Sequence, residues 1–167
     1  MKPLLRITKN MIESIKDDLV QPHNVACERV GFIMCKTTSD GNIALAFDYF
    51  PVKDDQYIED KNVGAKINNE AIRENMQRAI DKKCGVFHVH LHKSEYVPWF
   101  SYVDSDSLSE LIPSFQAVSP NNLHGGLVLG ERFGSLLALK PHSDKLNPGK
   151  VSIIGFPSII RGGSNGY

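Results

Sequence analysis

The alternation of apolar and polar residues is strictest in the middle of the chain. Residues 86–92 read VFHVHLH, so apolar residues and histidines alternate along the segment. Because successive side chains of a β-strand point to opposite faces, the pattern predicts a strand with His88, His90 and His92 on one face. The other face is apolar and is expected to lie on the core.

The remaining periodicities predict an α/β (α+β) fold, in which helices flank a mixed β-sheet. Three helices are predicted: one starting near Thr8 or Asn10, one running from a cap at Asn68 or Asn69 to Gly85, and one starting within 101–104 and reaching Ile112. Further strands are predicted at 27–36, 43–50, 123–130, 135–140 and 151–156. The segments 53–68 and 93–100 are expected to be loops.

Length and composition favour a single domain. The chain has 167 residues, of which 41% are hydrophobic, and this suits one globular domain with one active site. We expect the core to span about residues 8–156, followed by a flexible C-terminal tail. The tail contains Arg161-Gly162-Gly163, to which we assign no function.

The charge balance excludes some classes of partner. Nineteen basic residues match nineteen acidic ones, which argues against binding to nucleic acid or to an anionic membrane surface. The longest apolar runs are too short to span a bilayer, and the first residues lack the apolar core of a secretory signal. We therefore expect a cytoplasmic protein.

The histidine strand has the chemistry of a metal site. A catalytic zinc usually has three protein ligands and one open position, and an acid at the start of the next helix, such as Asp104, can complete the set. The competing interpretation is a polar histidine network without metal. Three aligned imidazoles argue against it, because each buried polar group left without a partner costs about 1 to 3 kcal/mol.

Three segments together resemble the JAMM (MPN+) zinc metalloproteases, also called JAB domains. Glu28, followed by RVGF, resembles the family's glutamate on an early strand; GVFHVH at 85–90 resembles its glycine, two hydrophobes and HxH; SYVD at 101–104 resembles its SxxD. The resemblance covers roughly residues 8–140. It looks closest to the bacterial branch (Mov34/MPN/PAD-1-like), because of the HxHxH run and of Phe100 before Ser101.

The resemblance implies an MPN/JAB domain with a cytidine-deaminase-like fold and a bound Zn²⁺. It implies His88, His90 and Asp104 as ligands, with His92 as the alternative ligand. The family places about seven residues between the second histidine and the serine, whereas roughly ten follow His90 and roughly eight follow His92. The position of Gly85 favours His88 and His90 as the histidine ligands, whereas the loop length favours His90 and His92. The choice stays open, with His88 and His90 preferred.

The resemblance also assigns the remaining roles. Glu28 would be the general base, and Ser101 would hydrogen bond the oxyanion or the metal-bound water. From the residues alone, Glu28 is better interpreted as a surface strand acid, since no spacing ties it to the histidines, and Ser101 could also be simply a helix N-cap. Trp99 and Phe100 are candidates to line a substrate groove or to anchor the loop.

The activity that the resemblance implies is that of a zinc metallopeptidase or isopeptidase. It would cleave an amide at the C-terminal tail of a ubiquitin-like protein, in deconjugation or in precursor processing. The expected partners are a ubiquitin-like protein or its conjugates, together with activating and conjugating (E1- and E2-like) proteins. The alternatives are a zinc hydrolase of another small amide or peptide and a noncatalytic MPN scaffold, and the complete motif speaks against the scaffold.

Overall fold

The computed structural model describes residues 1–60 and 62–155. These residues form three α-helices, a short 3-10 helix at Asp54–Gln56 and eight strands. The helices are α1 (Lys9–Leu19), α2 (Asn69–Lys82) and α3 (Tyr102–Val118). The strands are β1 (Leu4–Thr8), β2 (Val30–Thr37), β3 (Ile43–Pro51), β4 (Gly85–Leu91), β5 (His124–Leu129), β6 (Gly134–Leu139), β7 (Leu146–Pro148) and β8 (Lys150–Ile154).

The described strands form one mixed sheet in the order β7-β6-β5-β4-β2-β3-β1-β8. The pairs β1–β3, β1–β8 and β4–β5 are parallel, and the other neighbours are antiparallel. The end strands β7 and β8 are separated only by Gly149, so the sheet curls until its two ends meet there. The predicted mixed sheet with helices is confirmed in this form.

The helices cover the two faces of the sheet. On one face, α1 packs through Ile12 and Ile15 against Phe87 and Val89 of β4. On the other face, α3 packs through Phe115 and its neighbours in the core that also contains Val86. The apolar face predicted for β4 is therefore confirmed, and its histidines point to the side covered by α2 and α3.

The predicted helix starts are confirmed by their caps. Thr8 Oγ1 accepts a hydrogen bond from the N–H of Met11, and Asn68 Oδ1 accepts one from the N–H of Ala71. Gly85, however, does not end α2. Lys83, in the left-handed region at φ 47°, ends the helix. Gly85 is the first residue of β4, where only glycine fits, because a Cβ would collide with the backbone of Leu123.

Other boundaries differ from the sequence predictions. The strands β1 and β7 were not predicted, β2 starts at Val30, so Glu28 precedes it, and α3 continues through Pro113 to Val118. The predicted end of the last strand at residue 156 and the tail lie outside the described residues. No helix within residues 1–60 and 62–155 combines the length and apolar character that spanning a bilayer requires.

Candidate metal centre

Two histidines and an aspartate meet at the end of β4. The Nε2 atoms of His90 and His92 are 3.1 Å apart. Asp104 faces both: its Oδ1 lies 3.4 Å from His90 Nε2 and its Oδ2 lies 3.6 Å from His92 Nε2. Three potential ligand groups from two separate elements therefore converge on one point.

Hydrogen bonds cannot satisfy all three contacts of this cluster. The other ring nitrogen of His90, Nδ1, is buried without a hydrogen-bond partner among the described residues, so the proton of a neutral imidazole is best placed on Nε2, facing Asp104. If His92 also donates to Asp104, two N–H groups oppose each other at 3.1 Å. A cation bound by the three groups would remove this conflict, and it would place the proton of His90 on Nδ1, which has no hydrogen-bond partner among the described residues.

The spacing of the donor atoms fits zinc. Tetrahedral ligands at about 2.0 to 2.1 Å from zinc lie about 3.3 to 3.4 Å from one another. The two Nε2 atoms are 3.1 Å apart, close to this edge length, and each lies 3.4 or 3.6 Å from a different oxygen of Asp104. Imidazole nitrogen and carboxylate oxygen are also donor types found in catalytic zinc sites.

Strand register explains how Glu28 joins the cluster. β2 and β4 are antiparallel and pair Val30 with His90, so continuing the register past the end of β2 sets Glu28 opposite His92. Potential ligand atoms of Glu28, His90 and His92 all lie within 4.8 Å of one another. Glu28 is half-buried at the edge of the centre, as a proton acceptor for a nearby water would be.

His88 lies apart from this group. Its ring packs edge-on against Phe32, with centroids 5.6 Å apart, and lies 5.7 Å from the ring of His90. Burial lowers the pKa of His88 to about 3, helped by the neighbouring His90 and opposed by Asp104. The geometry therefore favours the alternative pair, His90 and His92, over the pair that the position of Gly85 favours.

The start of α3 holds the aspartate. Ser101 Oγ accepts a hydrogen bond of 3.1 Å from the N–H of Asp104, and the N–H of Ser101 donates to Asp104 Oδ2 at 2.7 Å. Burial raises the pKa of the Asp104 carboxyl, but the hydrogen bonds from His90 and Ser101 outweigh burial and hold the pKa well below its usual range. The carboxylate is thus fixed in its ionised form.

The loop before α3 is fixed to the opposite hairpin. Ser135 Oγ donates to the carbonyl of Pro98 at 2.7 Å, and the N–H of Glu131 donates to the carbonyl of Ser94 at 3.1 Å. Phe100 packs into the core, with its ring 6.4 Å from that of His90, whereas Trp99 is 81% exposed. Phe100 is therefore the anchor of the loop, and Trp99 lies on the surface.

A cavity of about 490 Å³ opens beside the cluster. Glu28, His88, His90 and Asp104 border it, and it extends along α3 beneath the segment 63–67. Its apolar walls are formed by Val30, Ile67, Ile72, Val103, Leu108 and Leu111. The sequence did not indicate this cavity, because its walls come from four distant segments.

Comparison with known proteins yields a similar fold. No family model matches the sequence, and no curated protein matches it. The structure is similar to the solution structure of protein DSY2949 from Desulfitobacterium hafniense, with a TM-score of 0.50 and 14% sequence identity over 92% of this chain and 94% of that chain. At this identity the likeness concerns the fold alone.

Proposed function

We propose that this chain is a zinc-dependent metallopeptidase or isopeptidase of the JAMM (MPN+) kind, with the MPN, cytidine-deaminase-like fold. The observation that carries the proposal is the convergence of His90, His92 and Asp104 at distances that suit zinc. The fold class supports it, since a mixed sheet between helices brings the three segments of the motif together. The cluster contains His90 and Asp104, which the resemblance implies as ligands, and His92, which it gives as the alternative to His88.

In this proposal each protein group at the centre has a defined task. Zinc, when bound, supplies a water of lowered pKa and polarises the scissile carbonyl. Glu28 takes the proton of the attacking water and delivers it to the leaving amine, a transfer worth about 10² to 10⁴ in rate. Asp104 and the two histidines hold their positions because the N-cap and the end of β4 fix them.

Ser101 combines two roles. Its Oγ accepts a hydrogen bond from the N–H of Asp104, and this bond leaves the hydroxyl proton of Ser101 unused. That proton is available for the oxyanion of a tetrahedral intermediate, which a preorganised donor stabilises. Ser101 is thus both the N-cap of α3 and the oxyanion donor.

The substrate proposed is the C-terminal tail of a ubiquitin-like protein, joined to a lysine or to further residues. The cavity supports a tail substrate, because it starts at the cluster and runs beneath a loop, where an extended segment can lie. The balance of nineteen basic and nineteen acidic residues supports a protein partner over nucleic acid. We propose that the protein acts in the cytoplasm on conjugates of such a protein, together with activating and conjugating enzymes.

A zinc hydrolase of another small amide or peptide is the second candidate. The cavity favours it in one respect, because about 490 Å³ is a volume typical of a small-molecule site. A noncatalytic scaffold has less support, since Glu28 lies with the potential ligands, where a scaffold does not need it.

The test compares an intact ubiquitin-like conjugate with its isolated tail peptide. We expect one zinc per chain, loss of activity with a chelator, and a kcat/KM much higher for the conjugate, because the folded body adds contacts away from the metal. Equal kcat/KM on both substrates selects the small-amide hydrolase. Turnover that a chelator does not change, in a protein free of metal, contradicts both enzyme candidates.

A further inference from the structure

Glu28 lies on a loop, and a neighbouring loop holds it. The carbonyl of Gly64 accepts hydrogen bonds from the N–H groups of Cys27, at 2.8 Å, and of Glu28, at 3.0 Å. Both bonds fix the backbone just before β2. One residue of a remote segment therefore sets where the Glu28 side chain starts.

Gly64 also borders the end of the same side chain. A Cβ at Gly64 would lie 2.6 Å from Oε2 of Glu28, 2.7 Å from its Cδ and 3.1 Å from its Oε1. The backbone of Gly64 does not have a positive φ, so its conformation is open to other residues. The glycine is therefore needed for the space that the carboxylate occupies.

The loop that carries Gly64 is closed at its base. Tyr57 and Ile67 form a bridge, and the N–H of Ile58 donates to the carbonyl of Lys66 at 2.8 Å. The hydroxyl of Tyr57 accepts a hydrogen bond of 2.8 Å from the N–H of Val30, the first residue of β2. The loop and the start of β2 are thus joined both at the base and at Gly64.

We propose that Gly64 is a positioning residue, which places the Glu28 carboxylate for proton transfer at the metal centre; this inference rests on the proposed function. A methyl group at position 64 forces the carboxylate away while leaving the His90, His92 and Asp104 cluster in place. Misplacement of a reacting group by about 1 Å can cost about 10²-fold in rate. Gly64→Ala should therefore lower kcat by about 10²-fold.

The experiment is a double-mutant cycle of Gly64→Ala and Glu28→Gln. We expect Gly64→Ala to lower kcat with little change in KM, zinc affinity or Tm, and to have little effect in the Glu28→Gln background. In the Glu28→Asp background, Gly64→Ala should lower kcat by a smaller factor than it does when Glu28 is present, because the shorter acid leaves room for the methyl group. Asn62→Ala, an exposed residue of the same loop, is the matched control and should behave as wild type.

A second readout does not depend on turnover. In the zinc-free protein, Gly64→Ala should shift the carboxyl ¹³C resonance of Glu28, and Asn62→Ala should not. If Gly64→Ala does not fold, the Gly64→Ala/Glu28→Asp double variant is compared with Glu28→Asp.

The outcomes separate this inference from the proposed function. If Glu28→Gln is inactive and Gly64→Ala retains full kcat, the positioning role is wrong and the proposed base stands. If Glu28→Gln retains turnover, the proposed base is wrong, and the positioning role falls with it. An unchanged ¹³C resonance in Gly64→Ala also overturns the inference.

Discussion

The identity of the histidine ligands can be tested by three leucine substitutions, since leucine is near in size to histidine and offers no ligand atom. His90 and His92 each place Nε2 within 3.6 Å of an Asp104 oxygen. The ring of His88 instead packs against Phe32. We therefore expect His90→Leu and His92→Leu to weaken zinc binding, and His88→Leu to leave it almost unchanged.

The expected difference is large. Loss of a residue that only orients a metal ligand costs about 10- to 100-fold in affinity. Loss of His90 or His92 as a direct ligand should exceed about 100-fold, which corresponds to more than about 2.7 kcal/mol. The zinc affinity of His88→Leu should stay within about tenfold of that of the wild type.

The assay is competition for zinc against a chromophoric chelator at pH 7.5, with Tm measured on the zinc-free proteins to confirm that each variant folds. Metal content by elemental analysis gives the stoichiometry. The reverse order, in which His88→Leu loses zinc and His92→Leu retains it, would refute the reasoning from Asp104 distances. The ligands would then be the pair that Gly85 favours.

Three further predictions concern groups around the centre. Ser101→Ala should lower the free energy of unfolding by about 1 kcal/mol and kcat by about 10²-fold, whereas Ser101→Thr should keep most of both. Trp99→Ala should leave Tm unchanged, because the side chain is 81% exposed, and should raise KM for an intact conjugate but not for a tail peptide. Burial lowers the pKa of His124 from 6.5 to about 4, although its hydrogen bond to the Ser119 carbonyl opposes the shift, so the unfolded chain binds this proton first as pH falls. The contribution of His124 to the free energy of unfolding should therefore be fully present well above pH 6.5 and smaller by about 2 kcal/mol at pH 5. In urea unfolding of the zinc-free protein, His124→Gln should lose correspondingly less stability than wild type between pH 7 and 5.

Features with local causes could be predicted from the sequence. The caps Thr8, Asn68 and Ser101 each act on a backbone N–H only three residues away, so the signal and its effect lie within one turn of helix. The strands β1 and β7 have five and three residues. β1 pairs with β3 and β8, which are distant in the chain, whereas β7 pairs with the preceding strand β6. Such strands carry too little periodicity to be recognised, and only the folded sheet defines them.

The role of Glu28 depends on pairing between segments about sixty residues apart. No spacing rule connects Glu28 with the histidines, so without the resemblance the residue is one acid among nineteen. The antiparallel register of Val30 with His90 supplies the missing connection. For the same reason Gly64 could not be singled out, since its neighbour in space is Glu28 and its neighbours in sequence carry no metal chemistry.

The ambiguity among the three histidines arises because 86–92 reads as one regular strand, in which either neighbouring pair of histidines could bind one ion. In a regular strand, residues two apart are about 6.6 Å from each other along the axis, a distance that two imidazole side chains can bridge. β4 ends at Leu91, and the chain turns at His92, whose N–H still bonds the Leu129 carbonyl while its own carbonyl accepts from Ser94. The turn brings His92 Nε2 to 3.1 Å from His90 Nε2. With His90 and His92 as the proposed ligands, the spacing to Ser101 is counted from His92. This spacing is the shorter of the two and is nearer to that of the family which the sequence resembles.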